Sequence, residues 1–178
     1  MNSQQHIAIL GSGNIGLSLA KGLVKSGICK PQQISLTRRN VSALADLAAI
    51  GYHTTDNNLK AVRKADFIVI AVLPQQLNKL LDEIKPSIKA DKQLIISVVS
   101  GVSCSDIRKQ LDLNIQIIRA MPNTAIAIGQ SMTCIASDNS TTKSINFVKS
   151  LFDTVGVTIQ INEELMTSAT ALLSLIHI

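Results

Sequence analysis

The stretch Ile7-Ala8-Ile9-Leu10-Gly11-Ser12-Gly13-Asn14-Ile15-Gly16 decides the fold. Four apolar residues run into a GxGxxG, and Ile15, Leu19 and Leu23 then recur every four positions with Ala20 and Val24 beside them. That pattern predicts a strand over 6–10, a tight turn, and a helix over about 14–26 that stops at Gly27. In such a turn the first glycine lets the chain double back and the second admits backbone amides to a pyrophosphate. The third lets helix and strand pack closely, while the helix N-terminus adds partial positive charge. Gly11, Ser12, Gly13, Asn14, Ile15 and Gly16 are therefore expected to bind a dinucleotide; the competing reading is a tight turn with no ligand.

Outward from this unit, short apolar runs alternate with helical patterns. Strands are expected over 34–37, 52–54, 67–73, 94–99 and 115–118, with outer strands over 132–136 and 157–161. Helices are expected over 41–50, 75–84, 105–111 and 141–154. The nearly uninterrupted apolar runs at 67–73 and 94–99 read as central strands buried on both faces. Successive strand–helix–strand units require right-handed crossovers. The expected architecture is thus α/β: a Rossmann-type, doubly wound, mostly parallel sheet with helices on both faces.

The end of the second strand bears on the ligand. NAD-selective sites place an Asp or Glu there for the ribose 2′-hydroxyl. This chain has Thr37-Arg38-Arg39-Asn40 instead. No carboxylate stands there to repel a 2′-phosphate, and two guanidiniums can hold one. A charge-assisted hydrogen bond contributes about 1.5–3 kcal/mol. One such contact favours the phosphorylated coenzyme by roughly tenfold to a hundredfold. NADP(H) is the expected cofactor, with NAD(H) a weaker ligand; the bland alternative is a solvated arginine pair opening a helix.

Composition narrows the remaining classes. The 178 residues are 46% hydrophobic and 16% charged, so a sizeable core is available, and Ile, Leu, Val and Ala must fill it because there are three Phe, one Tyr and no Trp. The net charge of +5 is spread along the chain, and few aromatics are present to stack bases, so no nucleic-acid partner is expected. Cys29, Cys104 and Cys134 are odd in number and form no CxxC. They read as reduced thiols rather than a disulfide frame or zinc site. His6, His53 and His177 match no metal spacing, and no metal is expected. The N-terminus carries no signal-peptide pattern and no apolar run is long enough for a membrane span, so the expected setting is cytoplasmic.

Several further segments, in order, resemble one family. Arg119-Ala120-Met121-Pro122-Asn123-Thr124 resembles the RxMPNTP segment of pyrroline-5-carboxylate reductases, and Ala71-Val72-Leu73-Pro74-Gln75 resembles their AVKPQ loop. Ile96 to Val102 is similar to the family's ISxxAGV strand end, and Glu163 to Leu172 to the ExxxDAVTAL that opens its helical domain. The resemblance runs from Ile7 to Leu172. It implies an oxidoreductase that transfers hydride from NADPH to the C=N carbon of a small imino acid, giving proline. To the expected coenzyme contacts, which already include Thr37, Arg38 and Arg39, it adds Asn58, Ala71, Val72, Leu73, Pro74, Ser100, Gly101, Met121, Pro122 and Asn123. It also implies Thr170 as the hydrogen-bond or proton donor to the substrate nitrogen. Hydride transfer to an already electrophilic imine mainly requires alignment of two carbons, which suits a chain without a triad, paired carboxylates or a metal cluster.

The chain departs from the family pattern at Leu73 (a lysine there), Ser100 (an alanine), Ala125 and Ile126 (Pro-Ala), Ser131 (a small residue, usually glycine) and Thr167 (an aspartate). These changes leave the fold expectation intact and leave open a related reductase acting on another imine or carbonyl, or a non-catalytic NADP-binding module. The expected division is a coenzyme domain over 1–162 and the first helix of a truncated substrate and dimerisation domain over 163–178. Residues Leu173 to Ile178 are expected to be foreign to the natural gene, this chain to be inactive or weakly active alone, and a homo-oligomer to require the full-length protein.

Overall fold

The computed structural model describes residues 5–175, with side chains through Thr170. Eight strands form one sheet: β1 (Ile7–Leu10), β2 (Ile34–Thr37), β3 (His53–Thr55), β4 (Phe67–Ile70), β5 (Leu94–Ser97), β6 (Gln116–Pro122), β7 (Ser131–Ala136) and β8 (Gly156–Gln160). Their order is β3-β2-β1-β4-β5-β6-β7-β8. The first six run parallel, β7 pairs antiparallel with β6, and β8 runs parallel to β7. Strand order reverses between β1 and β4, and the carboxyl ends of those strands are where open α/β sheets bind ligands. The expected Rossmann-type architecture is thus observed.

The described residues also form seven α-helices: α1 (Asn14–Lys25), α2 (Ala45–Ala49), α3 (Asn58–Lys64), α4 (Pro74–Ile84), α5 (Cys104–Leu111), α6 (Thr142–Phe152) and α7 (Met166–Leu175). Alternation along β1 explains why both sheet faces are covered. Ile7 and Ile9 face a cluster with Leu19, Leu23, Leu36, Val148 and Phe152, while Ala8 and Leu10 face Val62, Leu77, Leu81 and Ile107. With both faces of the strand buried, the apolar pattern is continuous rather than alternating. Among the described residues no helix is long and apolar enough to cross a membrane.

Several expected boundaries shift for identifiable reasons. The run over 67–73 leaves the sheet at Ile70, after which the Ala71 amide still donates to Leu10 O at 2.8 Å. Pro74, expected to precede α4, opens it at the first helical position, where its missing amide costs nothing. The run over 94–99 ends at Ser97, while β6 continues to Pro122 because β7 supplies partners for residues 119–122. The segment 41–50 divides into a 3₁₀ turn, Val41–Leu44, and the short α2. Asn58 is the first residue of α3, and Asn57 caps the helix by accepting from the Lys60 amide at 2.8 Å. Leu173 to Leu175 continue α7, and Ile176 to Ile178 lie outside the described residues.

At the far edge of the sheet β8 presents Val157 and Ile159, both exposed, beside the exposed Met132 of β7. The opposite condition holds at Phe152, which is 0% exposed at the end of α6. Truncation there leaves a large cavity: Phe152→Ala is expected to lower stability by about 3–5 kcal/mol, measured by urea denaturation. A loss below about 1 kcal/mol would show that the site collapses around the smaller side chain.

Candidate coenzyme site

The glycine turn is built by close approach. Gly11 has φ +93°, and a Cβ there would lie 2.6 Å from Ala71 O and 2.8 Å from Val72 Cγ1. A Cβ on Gly16 would lie 2.8 Å from Gly11 O. Gly13 is different, with nothing within 4 Å of a Cβ built on it. The first and third glycines therefore serve the packing of β1, β4 and α1, and the second faces open space.

The turn is stapled to the end of β2. The Ser12 amide donates to Thr37 O at 2.9 Å, and the Gly11 amide to Thr37 Oγ1 at 3.3 Å. Gly13 caps α1 without a side-chain bond, and no acidic residue stands in the first turn. Helix geometry leaves the amides of Asn14, Ile15 and Gly16 without intrahelical acceptors, beside the positive end of the dipole. Ser12 Oγ is buried and also without a partner. This set of unanswered donors around an open glycine suits a diphosphate.

Arg38 and Arg39 follow Thr37 directly, both exposed. The Arg38 amide donates to Thr55 O at 3.2 Å, which fixes the backbone, while neither guanidinium is bonded to another described residue. Both arginines thus follow directly on the strand end that is bonded to the turn.

A second group gathers at the ends of β5 and β6. Ser100 Oγ donates to Met121 Sδ at 3.9 Å, and Gly101 is exposed with φ +77°. Met121 and Pro122 are buried, the Asn123 amide donates to Ser131 Oγ at 3.3 Å, and Asn123 Oδ1 is buried and unpartnered. Between the two groups lie half-buried Ala71 and Val72, then exposed Leu73 and Pro74. Leu73 is 65% exposed, an apolar side chain turned to solvent at the carboxyl end of β4.

Two expected site residues are otherwise engaged. Asn58 donates its side-chain amide to both oxygens of Glu83 on α4, at 3.2 Å each. The Thr170 hydroxyl donates to Met166 O, one turn back in α7, at 2.7 Å. A cavity of about 700 Å³ lies to one side, between α1 and the 3₁₀ turn Thr124–Ile128, and shares only Asn14 with the expected contacts.

Sequence reasoning missed a buried charge cluster under the second group. Arg119, with its side chain 8% exposed, pairs through Nη1 with Glu163 Oε1 at 3.2 Å, and the same oxygen accepts from the Cys104 amide at 2.7 Å. The available signal was a lone arginine entering an otherwise apolar strand, which requires a buried partner. Cys104, Asp138 and Glu163 also bring potential ligand atoms within 4.8 Å of one another. Each carboxylate already holds a guanidinium, Arg108 for Asp138 and Arg119 for Glu163. Burial, reinforced by Glu163, pushes the Cys104 thiol up to about 12, so a metal would have to displace two arginines and a tightly held proton. All three cysteines are free and buried.

A family model described as NADP oxidoreductase, coenzyme F420-dependent, matches residues 6–101, more than half of the chain. The chain belongs to this family. The chain is 44% identical over 178 residues to pyrroline-5-carboxylate reductase 1 of Dictyostelium discoideum, covering 93% of this chain and 32% of that protein. It is 42% identical to pyrroline-5-carboxylate reductase 2 of the same organism, covering 98% of this chain and 63% of the relative. The solved pyrroline-5-carboxylate reductase of Coxiella burnetii superposes with a TM-score of 0.90 at 29% identity, over 96% of this chain and 64% of that one. The chain therefore spans less than two thirds of the length of these reductases.

The contrast among the glycines gives a test. Gly13→Ala is expected to change unfolding free energy by less than about 1 kcal/mol, since extended backbone and open space accept a methyl group, yet to weaken NADPH binding at least about tenfold by filling the approach to the amides. Gly11→Ala should instead lose stability outright. Denaturation and fluorescence titration of both variants check this, and unimpaired NADPH binding by Gly13→Ala would remove the coenzyme from the turn.

Proposed function

We propose that this chain is the NADP(H)-binding part of a reductase that converts 1-pyrroline-5-carboxylate to proline. The observation that carries the reading is the pairing of an uncapped, open glycine turn with two arginines, unpaired among the described residues, that directly follow the strand stapled to it. Bound at that edge, NADPH supplies the hydride. The amides of Asn14, Ile15 and Gly16 hold the pyrophosphate, with Ser12 Oγ and the α1 dipole beside it. Arg38 and Arg39 hold the 2′-phosphate. Ala71, Val72, Leu73 and Pro74 would form one wall of the nicotinamide end's site, and Ser100, Gly101, Met121, Pro122 and Asn123 the other.

Asn58 joins the adenosine side by exchanging Glu83 for a ribose hydroxyl, and Thr170 reaches the substrate nitrogen by exchanging Met166 O for it. Both steps require the small local rearrangement that their present hydrogen bonds imply. The substrate is a small imino acid, and no nucleic acid or membrane takes part. The names of the relatives support this substrate class. Residues 1–162 form the coenzyme domain, and 163–178 begin a helical substrate domain. Because the relatives extend further, the isolated chain is proposed to bind coenzyme while turning over little substrate, and assembly into oligomers to belong to a longer form. A cytoplasmic setting accords with three free cysteines.

Exposed Leu73, where the resembled family carries lysine, favours a second reading for the substrate alone: another imine or carbonyl compound with less negative charge. Fusing the helical domain of a family reductase after Leu172 separates the two. Proline formation supports the first, and tight NADPH binding without proline formation supports the second.

The coenzyme claim is tested by combining Arg38→Ala with Arg39→Ala. The pair is expected to weaken NADPH binding by roughly tenfold to a hundredfold, equivalent to about 1.4–2.8 kcal/mol, while NADH binding changes by less than about threefold. Equal losses for both coenzymes in parallel titrations would show that these side chains do not read the 2′-phosphate.

A further inference from the structure

The charge cluster beneath the crevice has a geometry that a simple surface ion pair lacks. Glu163 begins the 3₁₀ turn that feeds α7, and its Oε1 takes two donors at once, the Cys104 amide at 2.7 Å and Arg119 Nη1 at 3.2 Å. Each donor belongs to a segment of the proposed site. Cys104 opens α5 three residues after Gly101, and Ser103 and Asp106 already close the ordinary capping pair of that helix, so Glu163 is a second carboxylate at the same end. Arg119 lies in β6 two residues before Met121, opposite Ser97 on one side and Ala136 on the other. Seven residues after Glu163 comes Thr170, and between them Met166, fully buried, packs with Met121, Cys134 and Ala136.

We infer that Glu163 is a positioning residue: its carboxylate ties the Ser100–Gly101 turn, the end of β6 and the helix carrying Thr170 into one fixed arrangement. The inference rests on the proposed coenzyme reading for the meaning of those segments, not for the tie itself. A group held by two donors from separate elements fixes both more strictly than apolar packing, which tolerates sliding. Arg119 is nearly buried and its Nε has no partner, so among the described residues its side chain is bonded to Glu163 alone. Losing Glu163 would leave a buried cation unpaired and a helix-opening amide without its acceptor, and the cheapest relief is for α7 to lift away. The thiol of Cys104, held protonated, donates to Ile117 O at 3.5 Å and does not compete for either arginine.

Hydrogen exchange on this chain, followed by mass spectrometry with and without NADPH, tests the tie. In Glu163→Ala, exchange is expected to rise at least about tenfold at Cys104 and across 166–170, with β1 and β4 within about twofold of the wild type. Glu163→Gln keeps an oxygen for the Cys104 amide and loses the charge facing Arg119. It should restore protection at Cys104 but not across 166–170. In the wild type, saturating NADPH should slow exchange at 11–16 and also across 166–170, and in Glu163→Ala at 11–16 only. Unchanged exchange across 166–170 in Glu163→Ala, or an equal rise throughout β1 and β4, overturns the inference, as does NADPH protection of 166–170 that survives the substitution. Absence of NADPH protection at 11–16 in the wild type would instead defeat the coenzyme reading, with the ligand-free exchange pattern still deciding the role of Glu163.

Discussion

No side chain fits between the end of β1 and the end of β4. At Gly11 the backbone passes so close to the Ala71 carbonyl that even a methyl group would collide, and the positive φ there turns the chain sharply into α1. The same contact sets how near α1 lies to the sheet, because Gly16 in turn abuts the Gly11 carbonyl. From this crossing follow the opening of α1 at the sheet edge, the direction of its dipole and the exposure of its first amides. The crevice is the space left over when three backbones are brought together with nothing between them.

Polar atoms around that space are deliberately unequal in their partners. Thr37 satisfies two amides of the turn, through its carbonyl and its hydroxyl, and so holds β2 against the loop. Ser12 Oγ and Asn123 Oδ1, by contrast, are buried with no partner. Buried polar atoms are normally hydrogen-bonded, so these two remain available to a partner from outside the chain. The two lie on opposite groups of the site, one beside the glycine turn and the other beyond β6.

Much of the frame was legible because the strands are buried on both faces. β2 is observed over the residues its apolar run predicts, and α1 starts where the glycine pattern places it. What the sequence concealed were features set by partners distant along the chain. β6 outruns its apolar core because β7 turns back alongside it, and nothing between Ile115 and Ile118 announces that neighbour. Asn58 and Thr170 were recognisable as residue types, but the bonds that engage them, to Glu83 and to Met166, depend on how α3 meets α4 and on helix periodicity. Glu163 was visible only as part of a motif, since its two donors lie 59 and 44 residues away.

The outermost strand carries a practical consequence. β8 borders the sheet four strands beyond β4, with Val157 and Ile159 bare and no charged residue between Gly156 and Gln160. Open sheet edges of this kind invite another chain to add itself as the next strand, and folded proteins usually blunt them with lysine, proline or a covering element. In concentrated solution, non-specific strand pairing between copies of the chain would start at this border rather than at the crevice, apart from the specific oligomers proposed for a longer form. A single lysine in place of Val157 is the economical way to keep it dispersed while leaving the glycine turn untouched.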